Sequence, residues 1–230
     1  MSYQCIKNDI FPQFINLTFQ KMTALIKYPF TNDNESLITD ILSENQVLAF
    51  PTETVYGLGG NAFSKEVADR IYLIKQRPRN KPFPLLITLK WLKKLCLWND
   101  SRIDDLIEAF WPGPLTLILN SNPDLPKHLK NNSGTLAVRF SSSAVVQRLI
   151  ELGEYPLIGT SANRSGFPAC KSADEVANQL KDDVDIVIDG YNRSENLAST
   201  IVHCLTEPFK ILRQGAISLK ELNYICKIQK

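Results

Sequence analysis

The sequence predicts an α/β or mixed α+β domain, because short apolar runs typical of strands alternate with segments of helical periodicity. A chain of 230 residues can bury a core in one large domain, and a composition of 44% hydrophobic and 22% charged residues is ordinary for a folded protein. The net charge of +2 provides no global attraction to nucleic acid or membranes, so an anion site must come from a local cluster of cations.

The N-terminal stretch fits no clear element, so residues 1–30 are interpreted as an extension and residues 31–230 as a single domain. Met22 is a second candidate start, which would make Met1–Lys21 a loosely attached segment. After this stretch, apolar runs bounded by turn residues predict eight strands. These are Gln46–Phe50, Leu85–Leu89, Leu115–Leu119, Thr135–Phe140, Leu157–Gly159, Asp185–Ile188, Thr200–Cys204 and Lys210–Leu212.

Helices are predicted between these strands from the spacing of apolar residues and from capping signals. Apolar residues fall on one face of four segments: Asn34–Ser43, Ser64–Ile74, Arg102–Phe110 and Ser143–Leu152. Ser101 is the expected N-cap of the third helix, and Gly153 the expected end of the fourth. Two capping boxes, Ser172–Glu175 and Ser218–Glu221, open further helices.

Several function classes are excluded by composition. The five cysteines are odd in number and form no Cys-x-x-Cys pair, which favours reduced thiols, and the two histidines lie near no cluster of metal-ligand residues. No apolar run reaches the length of a membrane span, and Lys7 and Asp9 interrupt the N-terminus, which is a poor signal peptide. We therefore expect a cytoplasmic protein without a bound metal.

A cluster of four cations follows the second predicted helix: Lys75, Arg77, Arg79 and Lys81. Pro78 disfavours helical geometry in the residue before it, so the helix should end at or before Arg77. In an extended segment alternate side chains share a side, so all four cations could face a polyphosphate together. A solvated loop explains the same charges, but the apolar run that follows ties this loop to the core.

Two loops rich in glycine and in hydroxyl groups, 50–60 and 159–166, directly follow apolar strands. Glycines let a ligand approach the backbone, and short polar side chains can bind a small polar substrate, a phosphate or a ribose. These side chains are Thr52, Thr54, Tyr56, Ser161 and Asn163. Ordinary turns use the same residue types, so the pattern alone leaves both interpretations open.

Arg139 is an isolated charge in an apolar strand, between Val138 and Phe140. If its side chain points inward it must meet an anion, because an unpaired buried charge is costly; if it points outward it needs no partner. The cation cluster, the two loops, Arg139, and Ser199 and Arg213 near later strands all lie at strand ends, where α/β sheets bind ligands. The sequence thus predicts an anion-binding cleft with hydroxyl groups for a small polar partner.

Seven short motifs of the chain match the pattern of a known family. They are Pro51–Gly59, Lys75–Pro78, Trp111–Thr116, Leu136–Arg139, Thr160–Gly166, Ser199–Val202 and Leu212–Gly215. In this order, over about Val47 to Leu222, they resemble the YrdC/TsaC family of threonylcarbamoyl-AMP synthases. The resemblance implies a twisted mixed sheet with helices around a large basic cavity, in a YrdC-like fold related to that of dihydroxybutanone-phosphate synthase.

The resemblance also implies a reaction. L-threonine, bicarbonate or CO₂, and ATP would give L-threonylcarbamoyl-AMP and pyrophosphate, so the protein would be a nucleotidyltransferase. The product is the donor for threonylcarbamoyladenosine in tRNA, so the implied partners are downstream threonylcarbamoyl transferase proteins and, by direct contact, tRNA. Mg²⁺ is expected to arrive with ATP, because no cluster of carboxylates is evident.

The family's functional residues carry over to matching positions of this chain. Lys75 and Arg77 match the catalytic residues. The implied ATP-binding residues are Lys75, Arg77, Lys81, Thr135, Ser161, Asn163 and Arg213. The implied threonine-binding residues are Thr54, Arg139 and Ser199, with Arg139 on the carboxylate; no metal ligand is implied.

The chain departs from the family at three places. Leu197 and Ala198 replace a frequent Val-Glu pair, Ala169 replaces a small hydroxyl residue, and an apolar residue near Leu86 or Ile87 replaces a histidine of the longer members. The chain is expected to be the short form, without the extra C-terminal domain.

Two alternatives remain: a non-catalytic RNA-binding protein that uses the same cleft, and a paralogue with a changed substrate. The low net charge and the lack of aromatic residues among the four cations speak against RNA binding.

Overall fold

The structure is a computed structural model that describes residues 24–180, 183–190 and 197–230. Its strands are β1 (Ala24–Lys27), β2 (Leu48–Phe50), β3 (Gly57–Gly59), β4 (Leu85–Leu86), β5 (Cys96–Leu97), β6 (Leu115–Ser121), β7 (Thr135–Arg139), β8 (Leu157–Ile158), β9 (Thr160–Ser161), β10 (Ile186–Asp189), β11 (Thr200–His203), β12 (Phe209–Arg213) and β13 (Ile228–Gln229). Its α-helices are α1 (Asn32–Ser43), α2 (Lys65–Lys75), α3 (Leu89–Leu95), α4 (Ser101–Phe110), α5 (Ala144–Gly153), α6 (Ala173–Leu180) and α7 (Leu219–Ile225).

These strands form two mixed sheets. Five strands are ordered β1-β10-β2-β3-β9, and a second sheet is ordered β13-β12-β11-β6-β7-β4-β8, with β5 added at β6. Each sheet contains both parallel and antiparallel pairs; β10 is parallel to β2, for example, and β2 is antiparallel to β3. The predicted mixed α/β class is therefore confirmed.

Two hydrophobic cores lie on opposite faces of the first sheet. Leu48 and Phe50 of β2 pack with α1 and α5 in the smaller core, whereas Val47 and Ala49 belong to the larger core. This alternation is the two-residue period of a strand buried on both faces. Both faces of β2 are thus held, which fixes the loop that follows it.

One row of side chains crosses five strands of the second sheet. Arg213 pairs with Ile201, Ile201 with Thr116, and Leu86 with Arg139. Thr116 and Arg139 complete the row, because they stand next to the registered pair of β6 and β7 formed by their neighbours in the chain. Paired residues project from the same face of a sheet, so strand pairing brings together residues that are far apart in sequence.

All eight predicted strands and all six predicted helices overlap observed elements, but several boundaries are wrong. Leu89 begins α3 rather than ending a strand. Asp100, not Ser101, caps α4 by accepting the backbone N–H of Arg102. Gly153 is the last helical residue of α5, and Glu154 takes the left-handed conformation that was expected of a glycine.

One of the two predicted capping boxes is complete. Ser218 and Glu221 cap each other's backbone N–H groups at the start of α7. At α6 the hydroxyl of Ser172 accepts from the N–H of Glu175, but the carboxylate of Glu175 accepts from Lys171 instead of Ser172. The second box is thus only half formed.

The expectation that no helix or strand precedes residue 30 was wrong, because Ala24–Lys27 forms β1 and pairs in parallel with β10. The extension expected over Met1–Lys21 lies outside the described residues, as does Cys5. The four described cysteines are free and buried. Within the described ranges, every helix falls short of the length and hydrophobicity that a bilayer span requires.

Candidate active site

A cavity of about 210 Å³ opens between the two sheets. The first sheet lines it with the loop after β2 and with β9, and the second sheet lines it with the row of five side chains described above. Gly159 connects the two walls, since it follows β8 and precedes β9. A Cβ atom on Gly159 would lie 2.3 Å from Cγ of Leu86, so only glycine lets this connection pass so close.

Arg139 lies at the end of β7 with 7% of its surface exposed, so the inward orientation that the sequence left open is the one observed. Its Nη1 donates to Oγ1 of Thr54 over 3.2 Å and lies 3.7 Å from Oε1 of Glu53. Burial lowers the pKa of Arg139, and the charge of Glu53 opposes this effect. In the described chain Nε and Nη2 make no hydrogen bond, which leaves one edge of the guanidinium for an anion.

The hydroxyl of Thr54 has a defined hydrogen-bond direction. Thr52 donates its single hydroxyl proton to the carbonyl of Val55 over 2.6 Å. In the 2.9 Å contact between the two threonine hydroxyls, Thr54 must therefore be the donor. Since it also accepts from Arg139, Thr54 has only a lone pair to offer a ligand, and its natural partner there is an N–H or O–H group.

Two more arginines face the same cavity. Arg77 donates through Nε to the carbonyl of Lys81 and stacks on Phe83, while Arg213 donates to the carbonyl and the hydroxyl of Ser199. Burial lowers the pKa of Arg77; partial burial also lowers the pKa of Arg213, which the positive charges of Arg139 and Arg77 lower further. The three cations repel one another, so a bound anion would relieve this repulsion.

Ser199 connects Arg213 to the second sheet. Its side chain is 6% exposed, and Oγ lies 2.8 Å from Oγ1 of Thr116 as well as 2.9 Å from Nη2 of Arg213. Gly215 makes this arrangement possible, because a Cβ atom there would lie 2.1 Å from the carbonyl oxygen of Ala198. The cavity therefore has a fixed hydroxyl group beside Arg213.

Lys75 is the last residue of α2 and is only 2% exposed. Its Nζ donates to the carbonyls of Ser161 and Asn163 and to Oδ1 of Asn163, so all three ammonium protons are used. Ser161 also donates to Oδ1 of Asn163. Burial, followed by the charge of Arg77, lowers the pKa of Lys75 to about 8. Of these three residues, Ser161 lines the cavity, and Lys75 and Asn163 lie behind it.

The expectation that four cations face one side was wrong. The segment is not extended: Gln76 is left-handed with φ of 52°, and the N–H of Lys81 closes a turn on the carbonyl of Pro78. Arg79 instead pairs with Asp69 in an outer groove. Arg77 alone of the four lines the cavity in the described structure.

Two further predicted ATP-binding residues do not line the cavity. Lys81 is exposed, and its backbone carbonyl rather than its side chain contacts Arg77. Thr135 is buried at the start of β7, at the opposite end of the strand from Arg139. The structure thus brings together Thr54, Arg77, Arg139, Ser161, Ser199 and Arg213 around the cavity.

Sequence reasoning gave no role to Glu53 and Thr116. Glu53 lies between Thr52 and Thr54, and Thr116 is the last residue of the motif Trp111–Thr116. Nothing in the local sequence predicts that Glu53 would contact Arg139 or that Thr116 would contact Ser199. The departures Leu86, Ala169 and Ala198 all line the cavity, so the wall around the cations is partly apolar. Among the described residues no group of three or more His, Cys, Asp or Glu side chains is placed to hold a metal ion.

Two sheets that enclose a cavity lined by three arginines define an α/β protein whose cavity is suited to small ligands carrying carboxylate or phosphate groups. Residues 40–215 match the family model Sua5/YciO/YrdC, which is described as telomere recombination. The chain belongs to this family.

Two relatives and one solved structure illustrate the similarity. The threonylcarbamoyl-AMP synthase of Pyrococcus abyssi is 35% identical over 80% of this chain and 54% of its own length. The protein of the same name from Photobacterium profundum is 30% identical over 80% of this chain and 100% of its own. The crystal structure of P. abyssi Sua5 complexed with L-threonine is 31% identical, with a TM-score of 0.83 over 90% of this chain and 62% of that chain.

The chain spans about half the length of several curated relatives that it matches, for example 54% of the P. abyssi protein and 57% of the Bacillus subtilis protein.

Proposed function

We propose that this chain is an L-threonylcarbamoyl-AMP synthase, which makes L-threonylcarbamoyl-AMP and pyrophosphate from L-threonine, bicarbonate or CO₂, and ATP. The observation that carries the proposal is the shared cavity of Arg77, Arg139 and Arg213, where an amino acid and a triphosphate can lie side by side. Family membership and the names of the relatives support the same reaction.

The amino acid is assigned to the part of the cavity around Arg139. The free edge of its guanidinium suits a carboxylate, and the lone pair of Thr54 suits the amine or the hydroxyl group of threonine. Leu86, paired with Arg139 across the sheet, offers an apolar surface to the methyl group. L-threonine bound to the related P. abyssi protein supports this assignment.

The triphosphate is assigned to Arg77 and Arg213, with Ser161 beside them. Lys75 and Asn163 support this wall from behind, so their contribution is to hold Ser161 and to add positive potential. Direct contacts of Lys81 and Thr135 with ATP rest on the motif match alone. Mg²⁺ enters as part of the MgATP substrate.

The proposed chemistry requires positioning rather than a covalent enzyme intermediate. The unprotonated amine of threonine attacks CO₂, loses one proton to water and forms a carbamate. An oxygen of the carbamate then attacks the α-phosphate, and pyrophosphate leaves. The arginines hold both substrates and stabilise the charge that develops on the phosphates. The product would pass to downstream threonylcarbamoyl transferase proteins that modify tRNA.

The test is an assay of pyrophosphate release and product mass with ATP, bicarbonate and L-threonine. Product of the mass of threonylcarbamoyl-AMP should form only when all three are present. Arg139→Leu should abolish it, while the matched control Arg102→Leu, which removes an arginine paired with Asp100 and Glu207 at the surface, should not. Pyrophosphate release without threonine, or none at all, contradicts the proposal.

A further inference from the structure

Glu53 is a buried carboxylate whose two oxygens have different surroundings. Its side chain is 6% exposed. Oε2 accepts a hydrogen bond from the hydroxyl of Ser141. Oε1 is buried without a hydrogen-bond partner and lies 3.7 Å from Nη1 of Arg139. A buried carboxylate oxygen without a hydrogen bond is costly, and the positive charge that can offset this cost is the guanidinium of Arg139.

The position of Glu53 is fixed without help from Arg139. Ser141 accepts from the N–H of Ser143, and the hydroxyl of Ser143 donates to the carbonyl of Pro51 over 2.8 Å. Gln147 of α5 donates to the carbonyl of Ser141 over 3.0 Å. The loop after β2 and the loop after β7 are thereby tied together, and the carboxylate is a rigid reference point behind the cavity.

We propose that Glu53 is a positioning residue that orients the guanidinium of Arg139 toward the carboxylate of the amino-acid substrate. Glu53 and Thr54 hold Arg139 at Nη1 only. Because the guanidinium is planar, holding one corner fixes the direction of the opposite edge, where a carboxylate can bind through two hydrogen bonds. This assignment rests on the proposed function.

Glu53 also separates the roles of the three arginines. Among the described residues it is the one carboxylate within 4.0 Å of a cavity cation. Together with Thr54, its charge keeps Arg139 on the side of the loop after β2 and opposes a movement of Arg139 toward a triphosphate held by Arg77 and Arg213. Removal of the charge should therefore weaken threonine binding selectively and leave ATP binding equal or stronger.

The experiment compares steady-state kinetics of Glu53→Gln and the wild type. The KM for L-threonine should rise about tenfold or more, as expected when a charge-assisted contact is misplaced, while the KM for ATP stays within about twofold or falls. Ser141→Ala, which keeps the charge but frees Oε2, should raise the threonine KM by a smaller factor. Glu207→Gln removes a carboxylate from a surface ion pair with Arg102 and should change neither constant.

The outcomes separate the two proposals. A wild type without threonine-dependent product contradicts the proposed function. An active wild type whose threonine KM is unchanged or lowered in Glu53→Gln, or raised equally with the ATP KM, overturns the positioning role. If Glu53→Gln does not fold, Ser141→Ala decides: a selective rise in threonine KM supports the role, and unchanged kinetics overturn it.

Discussion

The Nζ of Lys75 lies 2.9 Å from Oδ1 of Asn163, so the end of α2 is joined directly to the loop after β9. The remaining ammonium protons go to backbone carbonyls, and in the described chain no carboxylate pairs with this lysine. A full positive charge is thus buried among neutral acceptors behind the wall of the cavity.

This burial predicts a characteristic pH dependence of stability. With a pKa of about 8 in the folded chain against an ordinary 10.5, Lys75 binds fewer protons in the folded chain than in the unfolded chain between these pH values. The free energy of unfolding should therefore rise with pH over this window, by roughly 3 kcal/mol in total from this group. Below pH 8 the lysine is charged in both states and contributes no slope.

The measurement is chemical denaturation of the wild type and Lys75→Met from pH 7 to about 10.5. The stability of the wild type relative to the variant should increase above pH 8. A constant difference between the two proteins would show that Lys75 titrates near its ordinary pKa.

Arg77 and Arg79 offer a matched pair of variants for testing the proposed nucleotide site. Arg77 lines the cavity, whereas Arg79 pairs with Asp69 on the outer surface. Arg77→Ala should lower kcat/KM for ATP by about 10²–10³, the usual effect of removing a group that stabilises developing charge. Arg79→Ala should change it by less than about threefold, because exposed ion pairs contribute little. Equal losses in a kinetic assay of both variants would contradict this division.

The sequence was sufficient for the parts of the fold and the site that depend on local patterns. Apolar runs located the strands β6, β7 and β11, and Arg139 could be singled out because a charge in such a strand is unusual. The arrangement of the cations at 75–81 could not be predicted, because it depends on the left-handed Gln76 and the turn at Pro78.

The site residues that were not predicted depend on contacts between segments far apart in the chain. Thr116 reaches Ser199 through the pairing of β6 with β11, and Glu53 reaches Arg139 because the loop after β2 packs against the end of β7 in the other sheet; sequence spacing encodes neither contact. β3 (Gly-Leu-Gly) and β9 (Thr-Ser) contain no apolar run, so no strand was predicted there, although residues of both line the cavity.

Leu86 is expected to contribute to the choice between threonine and serine. It stands beside Arg139 in the row and lines the cavity. Leu86→Ala opens space where the methyl group of threonine would pack, so the ratio of kcat/KM for threonine over serine should fall by about tenfold, the value of one methyl group in an apolar pocket. Competition between the two amino acids, with the two products distinguished by mass, measures this ratio, and an unaltered ratio would exclude Leu86 as the contact.

Gly159 and Leu86 should be energetically coupled. A methyl group on Gly159 would overlap Leu86, so Gly159→Ala is expected to lower the free energy of unfolding by about 1–3 kcal/mol. In the background of Leu86→Ala the same change should cost less, because the overlapping atoms are gone. A double-mutant cycle from urea denaturation tests this, and strictly additive effects would contradict the close approach.

The proposed function requires that one cavity hold an amino acid at Arg139 beside a triphosphate at Arg77 and Arg213. The decisive measurement is a crystal structure with L-threonine and a non-hydrolysable ATP analogue. The threonine carboxylate should lie on Nε and Nη2 of Arg139, with phosphate oxygens within hydrogen-bond distance of Arg77 and Arg213. A nucleotide bound in the outer groove beside Arg79, or a carboxylate that makes no contact with Arg139, would contradict it.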